Sequence, residues 1–351
     1  MTRRIDWGSR IGRRLRLRDL HVFFSVVECG SMGKAAVQLG VSQPTVSEAI
    51  ADLEQTFGVR LFDRSPQGVE PTSYGSALLK RAVAAFDELK QSGQDIEFLS
   101  DPTVGELLIG CSESISSAIL PPIIHQFSQK YPRVTFDVDI GATGASLNEL
   151  RNRRVDLVLS RPAWGLPTDG TDKELNVSIL FHDELVVAAG ADNPLTRRRT
   201  LDLADLVNER WILTAPDYWS SKAMAEAFRA RGLSMPIIAV KSLSIPLRTK
   251  LVATGEFITA LPRSNLVLEG GQFPLKALPV DLASPSWPVT IVTLKGRTLS
   301  PLVERFVECA RQVTSSLSGK SRGRTTRMWK SMSSLGQSRR GRPSPSSQPL
   351  P

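Results

Sequence analysis

The sequence predicts an α/β chain: a small helical module, then one long helix, then a domain of alternating strands and helices. Three observations carry this reading. Apolar residues between 17 and 57 recur at helical spacing in short runs broken by Gly30-Ser31 and Gly40. Residues 73–100 keep a helical pattern without a proline. From Val104 to about Leu317, short β-rich runs alternate with helical stretches, the pattern of a largely parallel sheet.

Within the first module, Leu17, Leu20, Phe24 and Val27 share one helical face. Ser31 is placed to cap a second helix, Met32 to Leu39, with Ala35, Ala36 and Leu39 inward. Gly40 supplies the turn. Ser42 is an N-cap candidate for a third helix with Pro44 in its first turn, where a missing N–H costs little. On that helix Val46, Ile50, Leu53 and Phe57 form a buried stripe, while Gln43, Thr45, Ser47 and Glu48 occupy the opposite face near its start. Small amide and hydroxyl side chains at a helix tip suit the major groove, where they meet base edges. Leu61 to Arg64 and Val69-Glu70 then flank Ser65-Pro66-Gln67-Gly68, whose Pro and Gly positions fit a type I turn. This hairpin is read as a wing (61–71), with Arg64 at its base facing phosphate or the minor groove. Thr72 is the expected N-cap of the long helix. That helix carries Leu78, Ala82, Ala85 and Leu89 on one stripe, with Leu79, Val83 and Phe86 beside it, so it should pack on the reader and on a second copy of itself.

The chain has 351 residues, 41% of them hydrophobic, and a net charge of +9. The charge is not where a DNA reader would need it. Residues 1–18 hold seven Arg against Asp6, and residues 318–351 hold eight Lys or Arg without an acid. Residues 101–317 balance at 23 basic against 23 acidic, and residues 19–72 set three basic side chains against seven acids. Bulk basicity is therefore not the evidence for nucleic acid; the motif is. The Ser/Arg/Pro-rich tail, 318–351, is expected to be disordered. No apolar run spans a bilayer or forms a secretory leader, so the expected location is the cytoplasm, with no membrane partner. Cys29, Cys111 and Cys309 are scattered and read as free thiols.

At this point the sequence resembles the LysR family of transcription regulators. The anchors run in order: Leu20, Phe23 or Phe24, Gly30-Ser31, Ala35-Ala36, Leu39, Val41-Ser42-Gln43-Pro44, Val46-Ser47, Ile50, Leu53-Glu54, Gly58, Leu61-Phe62, Arg64, Thr72 and Gly75. The resemblance implies a winged helix-turn-helix DNA reader at 17–72, with the helix-turn-helix at 32–51, after a basic arm at 1–16. It implies base and phosphate contacts from Gln43, Pro44, Thr45 and Ser47, with Ser42 near phosphate and Arg64 in the wing. Glu48 departs from the family, which usually carries Arg, Gln or another non-acidic residue there. The linker helix, 73–100, would pair readers into a homodimer or homotetramer on a double-stranded operator of two-fold symmetry, with RNA polymerase a further partner left open.

The remaining chain, 103–317, is read as a two-lobed effector domain. Gly105–Gly110, Val134–Ile140 and Val155–Leu159 are expected strands of lobe 1, about 103–163 and 270–317. Lobe 2, about 164–269, is expected to hold strands at Leu185–Ala189, Trp211–Leu213 and Phe257–Pro262, and a helix at Lys222–Arg231. Val289–Leu294 and a helix from Leu302 to Val313 return the chain to lobe 1. Ligands in open α/β sheets sit beyond the C-terminal strand ends, near helix N-termini. Ser112, Ser114 and Thr143 fall at such ends, and Arg161 adds a charge. The resemblance extends here: the LysR effector domain shares the two-lobe clamshell of periplasmic binding proteins, which adds Thr214 and Ser242 as pocket candidates. An oxygen-rich pocket edge with Arg161 leans towards a small carboxylate or sugar-like effector. Enzyme readings fail: Gly110-Cys111-Ser112-Glu113-Ser114 lacks the second Gly of a nucleophile elbow. His21, His125 and His182 have no metal spacing, no phosphate loop occurs, and neither catalysis nor a cofactor is expected.

Overall fold

The computed structural model describes residues 14–65, 68–101, 103–161, 172–268 and 274–318. The turn pair 66–67, most of the basic arm and the C-terminal tail lie outside these residues, so the expectations placed on them are untouched. The chain divides into two compact units, 1–96 and 97–351.

The first unit contains helices α1 (Leu17–Cys29), α2 (Met32–Leu39) and α3 (Gln43–Phe57), the hairpin β1 (Phe62–Ser65) and β2 (Gly68–Pro71), and most of α4 (Ser73–Ser100). Helices α1, α2 and α3 all end on glycines with positive φ, at Gly30, Gly40 and Gly58. Helix α1 is rotated from its expected face. Leu20, Val22, Phe23 and Val26 are buried, whereas Leu17 is exposed and Phe24 and Val27 only half-buried. The wing supplies the reason: the Phe23 ring packs on Phe62 of β1, 5.1 Å between centroids, and draws that side of the helix inward. Ser31 takes the N-cap position of α2 without a side-chain hydrogen bond. Helix α3 behaves as expected, burying Val46, Ile50 and Leu53 completely and Phe57 partly.

Two close approaches lock the wing. The Val69 N–H donates to the Gly30 carbonyl (3.0 Å), and a Cβ on Gly68 (φ +142) would sit 2.7 Å from that oxygen. A Cβ on Gly75 would lie 2.1 Å from the Leu61 carbonyl oxygen, so this anchor position is a contact requirement. Thr72 caps α4, its Oγ1 accepting from the Gly75 N–H at 3.1 Å. The Glu54 carboxylate receives the Leu61 N–H (2.8 Å), tying α3 to the start of the wing. Helix α4 turns Ala82, Leu78, Leu79 and Phe86 onto the reader core. Leu89, Ile96 and Leu99 remain exposed.

The second unit holds two five-stranded sheets. The first contains β3 (Val104–Cys111), β4 (Arg133–Ile140), β5 (Leu157–Ser160), β6 (Leu175–Asp183) and β12 (Trp287–Leu294), in the order β4-β3-β5-β12-β6. The second contains β7 (Leu185–Gly190), β8 (Trp211–Leu213), β9 (Ile238–Lys241), β10 (Ile258–Pro262) and β11 (Leu275–Ala277), in the order β11-β7-β10-β8-β9. The helices are α5 (Glu113–Ala118), α6 (Leu120–Lys130), α7 (Thr143–Arg151), α8 (Trp219–Ala230), α9 (Ile245–Ala253), α10 (Arg263–Leu268) and α11 (Pro301–Ser318).

Neither sheet is largely parallel. β12 runs antiparallel to both neighbours, and β7 runs antiparallel to β10 and β11. The lobe boundaries also move. β6 lies within the expected second lobe yet pairs along its length with β12 in the first sheet, and β11 lies within the expected first lobe yet pairs with β7. The chain crosses from sheet to sheet at Asp183–Leu185 and again between β11 and β12. A strand's sheet is chosen by its hydrogen-bond partner, which its own residues do not name.

Candidate functional site

The tip of α3 is built by its cap. Ser42 Oγ accepts from the Thr45 backbone N–H (3.3 Å) and lies 2.8 Å from Thr45 Oγ1. Ser42, Gln43, Pro44 and Glu48 are exposed, and Thr45 and Ser47 are half-buried. Ser47 Oγ donates to Met32 Sδ at 3.5 Å, a weak contact that leaves both lone pairs of its oxygen available. One turn of helix therefore presents amide, hydroxyl and carboxylate groups to solvent while Val46 and Ile50 anchor its back. Arg64 is exposed on β1 opposite Val69, with no ion pair among the described residues.

In the second unit, β3 and β4 end together, Cys111 opposite Ile140. Ser112 is the N-cap residue of α5 and is buried without a side-chain cap bond, and Thr143 opens α7 half-buried beside it in the fold. Thr214 and Ser242 play the same part in the second sheet. They follow β8 and β9, whose last residues Leu213 and Lys241 are partners, and the Ser242 N–H donates to the Leu213 carbonyl (2.9 Å). Thr214 is buried in a hydroxyl cluster, its Oγ1 3.0 Å from Ser220 Oγ and 2.7 Å from Ser221 Oγ at the start of α8. Ser242 Oγ accepts from the Ser244 N–H at 3.1 Å.

Ser114 and Arg161 belong to a different arrangement from the one expected. Arg161 is 2% exposed and donates to Ser114 Oγ (2.7 Å), Asp183 Oδ2 (2.7 Å) and Ser264 Oγ (2.9 Å). Ser264 Oγ donates in turn to Asp183 Oδ2 (2.6 Å), and Asn265 Nδ2 donates to the Ser114 carbonyl (3.2 Å). This buried knot joins the first lobe (Ser114, Arg161) to the second (Ser264, Asn265) at the Asp183 crossing. Its charge is matched by Asp183, so Arg161 is foremost an inter-lobe tie. Its Nε alone is buried without a partner among the described residues.

Arg248 and Tyr218 went unnoticed in the sequence. Helix α9 packs against α5 of the other lobe. Arg248, on α9, is 3% exposed and donates through Nε and Nη2 to Thr259 Oγ1 and through Nη2 to the Ala260 carbonyl. Burial pushes its guanidinium down to about 10. Burial likewise pushes the Tyr218 phenol up, against the opposing pull of the nearby Arg161 and Arg248 charges. A signal for Arg248 existed: it falls between the buried Ile245 and Val252 at helical spacing, a charge on an apolar face. Asp183, Ser264 and Asn265 left no such signal.

Comparisons with known proteins agree along the chain. Residues 17–76 match the family described as bacterial regulatory helix-turn-helix protein, lysR family, and residues 100–315 match the LysR substrate binding domain. The chain is 28% identical over 303 residues to the transcriptional dual regulator GltC of Bacillus subtilis, covering 86% of this chain and 99% of GltC. It is 27% identical over 300 residues to the regulator TdcA of Escherichia coli, covering 86% and 94%. Full-length OxyR from Pseudomonas aeruginosa shares the fold at a TM-score of 0.57 and 20% identity, over 86% of this chain and 94% of that one. With a matching family over each of the two units, the chain belongs to the LysR family of DNA-binding transcription regulators, a helix-turn-helix reader followed by a substrate-binding effector domain.

Proposed function

We propose that this regulator reads its operator with Gln43, Pro44, Thr45 and Ser47 in the major groove, Ser42 near phosphate and Arg64 in the wing. Glu48 on the same exposed face accepts from a cytosine amino group and repels phosphate, which narrows the bases tolerated beneath it. The single observation carrying this reading is that α3 buries Val46, Ile50 and Leu53 while its polar tip stays open. The reader spans 17–72 and the effector domain 103–317, joined by the linker. The exposed Ala85, Leu89, Ile96 and Leu99 recur on α4 at intervals of four, seven and three residues, the seam of a paired helix. Such pairing sets two readers on a two-fold operator as a dimer, or a dimer of dimers.

The effector binds between the lobes, where Ser112 and Thr143 face the ends of the first sheet and Thr214 and Ser242 those of the second. It works by favouring one lobe arrangement over another. The protein acts in the cytoplasm, is no enzyme, and meets RNA polymerase only through what it does at a promoter. Footprinting tests the reading. Gln43→Ala and Ser47→Ala each lower operator preference by about 1–3 kcal/mol and spare nonspecific binding. Equal loss on operator and random DNA would remove base readout from α3.

A further inference from the structure

Resting on the inter-lobe effector reading above, we infer that the effector carries a carboxylate and that Arg248 is the residue that receives it. A guanidinium is costly to bury without an opposite charge, and among the described residues Arg248 has none: its partners are a hydroxyl and a carbonyl, both neutral. The contrast with two other buried arginines is direct. Arg161 is paired with Asp183 at 2.7 Å and Arg297 with Asp156 at 3.0 Å, both buried. Arg248 also keeps a donor in hand, since Nη1 donates to nothing among the described residues.

Its position is the right one. Thr259, which accepts from Arg248, donates to the Ile212 carbonyl (2.6 Å) two residues before Thr214. The guanidinium thus lies beside the strand end where Thr214 and Ser242 gather, on the helix that packs against the first lobe. Helix α9, which carries Arg248, packs against α5, which carries Glu113 and Ser114, and Arg161 donates to Ser114, so groups of both lobes lie close together here. Arg161 adds a second donor without a partner, its buried Nε.

The local charge selects the anion. Among the described residues, Arg161 and Asp183 cancel, Arg248 contributes one positive charge, and Glu113 on α5 contributes a half-buried negative one with no ion pair to Arg248. A monoanion with two acceptor oxygens matches one unpaired guanidinium; a dianionic phosphate would face Glu113 with too few donors.

The experiment follows thermal unfolding of the full-length protein at matched ionic strength. The probes are butyrate, lactate, phenylacetate and pyruvate, each beside its amide, with inorganic phosphate, sulfate and neutral polyols as further arms. At about 100-fold over its Kd a bound acid raises Tm by about 5–10 °C, and its amide does not. Arg248→Met leaves the unliganded Tm equal or higher, because an unpaired buried charge has gone. It raises the half-saturating acid concentration about 10–100-fold. Should Arg248→Met not fold, Arg248→Lys decides, and an unchanged half-saturating concentration there overturns the proposal. So does an acid response that survives Arg248→Met, an equal response to amides, a response to phosphate or sulfate alone, or no response to any acid. A polyol that shifts Tm and operator footprint equally in wild type and Arg248→Met would leave the crevice standing and remove only the carboxylate.

Discussion

The reader and the effector domain place their polar side chains in opposite ways. In the reader, the groups offered to DNA lie on one exposed stretch, Ser42 to Glu48, with Arg64 beside it on the wing, over an apolar core. In the effector domain the notable polar groups are buried and come from segments far apart: Ser114, Arg161, Asp183, Arg248 and Ser264. A reader meets a partner that is wet and charged, so its contacts stay on the surface and cost the fold little. A lobed receptor encloses its ligand, so its polar groups are held inside, and all but the few kept for the ligand are satisfied within the fold. Surface changes in the reader, the capping Ser42 apart, should therefore alter binding without altering stability, and changes at the inter-lobe knot should do the reverse.

The largest test of this contrast is Asp183→Ala. It leaves the Arg161 charge buried and unpaired and lowers stability by about 3–5 kcal/mol in denaturant unfolding of the full chain. A loss below 1 kcal/mol would show that the knot is not a tie. Ser42→Ala removes the cap of α3 and costs about 1 kcal/mol in the same measurement; no change would mean that the 3.3 Å bond to Thr45 carries no weight. Arg64→Ala leaves unfolding unaltered but weakens binding to all sequences and lowers the salt slope by about one. An unaltered slope removes Arg64 from the phosphate contacts. The smallest effect is chemical. Cys111 is wholly buried and its thiol is pushed up to about 12 by burial, reinforced by Asp139 and Glu113, so it stays protonated near neutral pH. An alkylating reagent should modify the half-buried Cys29 first, and rapid labelling of Cys111 in the folded protein would contradict its burial.

The reader was legible almost residue by residue, because its signals are local. Ser42, Pro44, Gly40 and Thr72 act within four residues of themselves, and the α3 stripe needs only helical periodicity. The exceptions are instructive. The face of α1 turned towards Phe62, thirty-nine positions beyond Phe23. Gly75, one of the anchors in the sequence, is where a carbonyl from the wing passes too close for a side chain. In the effector domain the strand segments with strong apolar runs were legible and the sheet assignments were not. β6 and β11 joined sheets on the far side of the expected boundaries through partners that only folding brings near.

By itself the sequence determined the helix-turn-helix, its caps, the family and the α/β alternation, because each depends on neighbours a few residues away. Tertiary structure alone decided that Arg161 ties two lobes together and that Arg248, on its apolar helix face, meets no opposite charge among the described residues. Pairing across 22 residues for Arg161 and Asp183, or its absence for Arg248, is a property of which surfaces meet, and no local pattern encodes it.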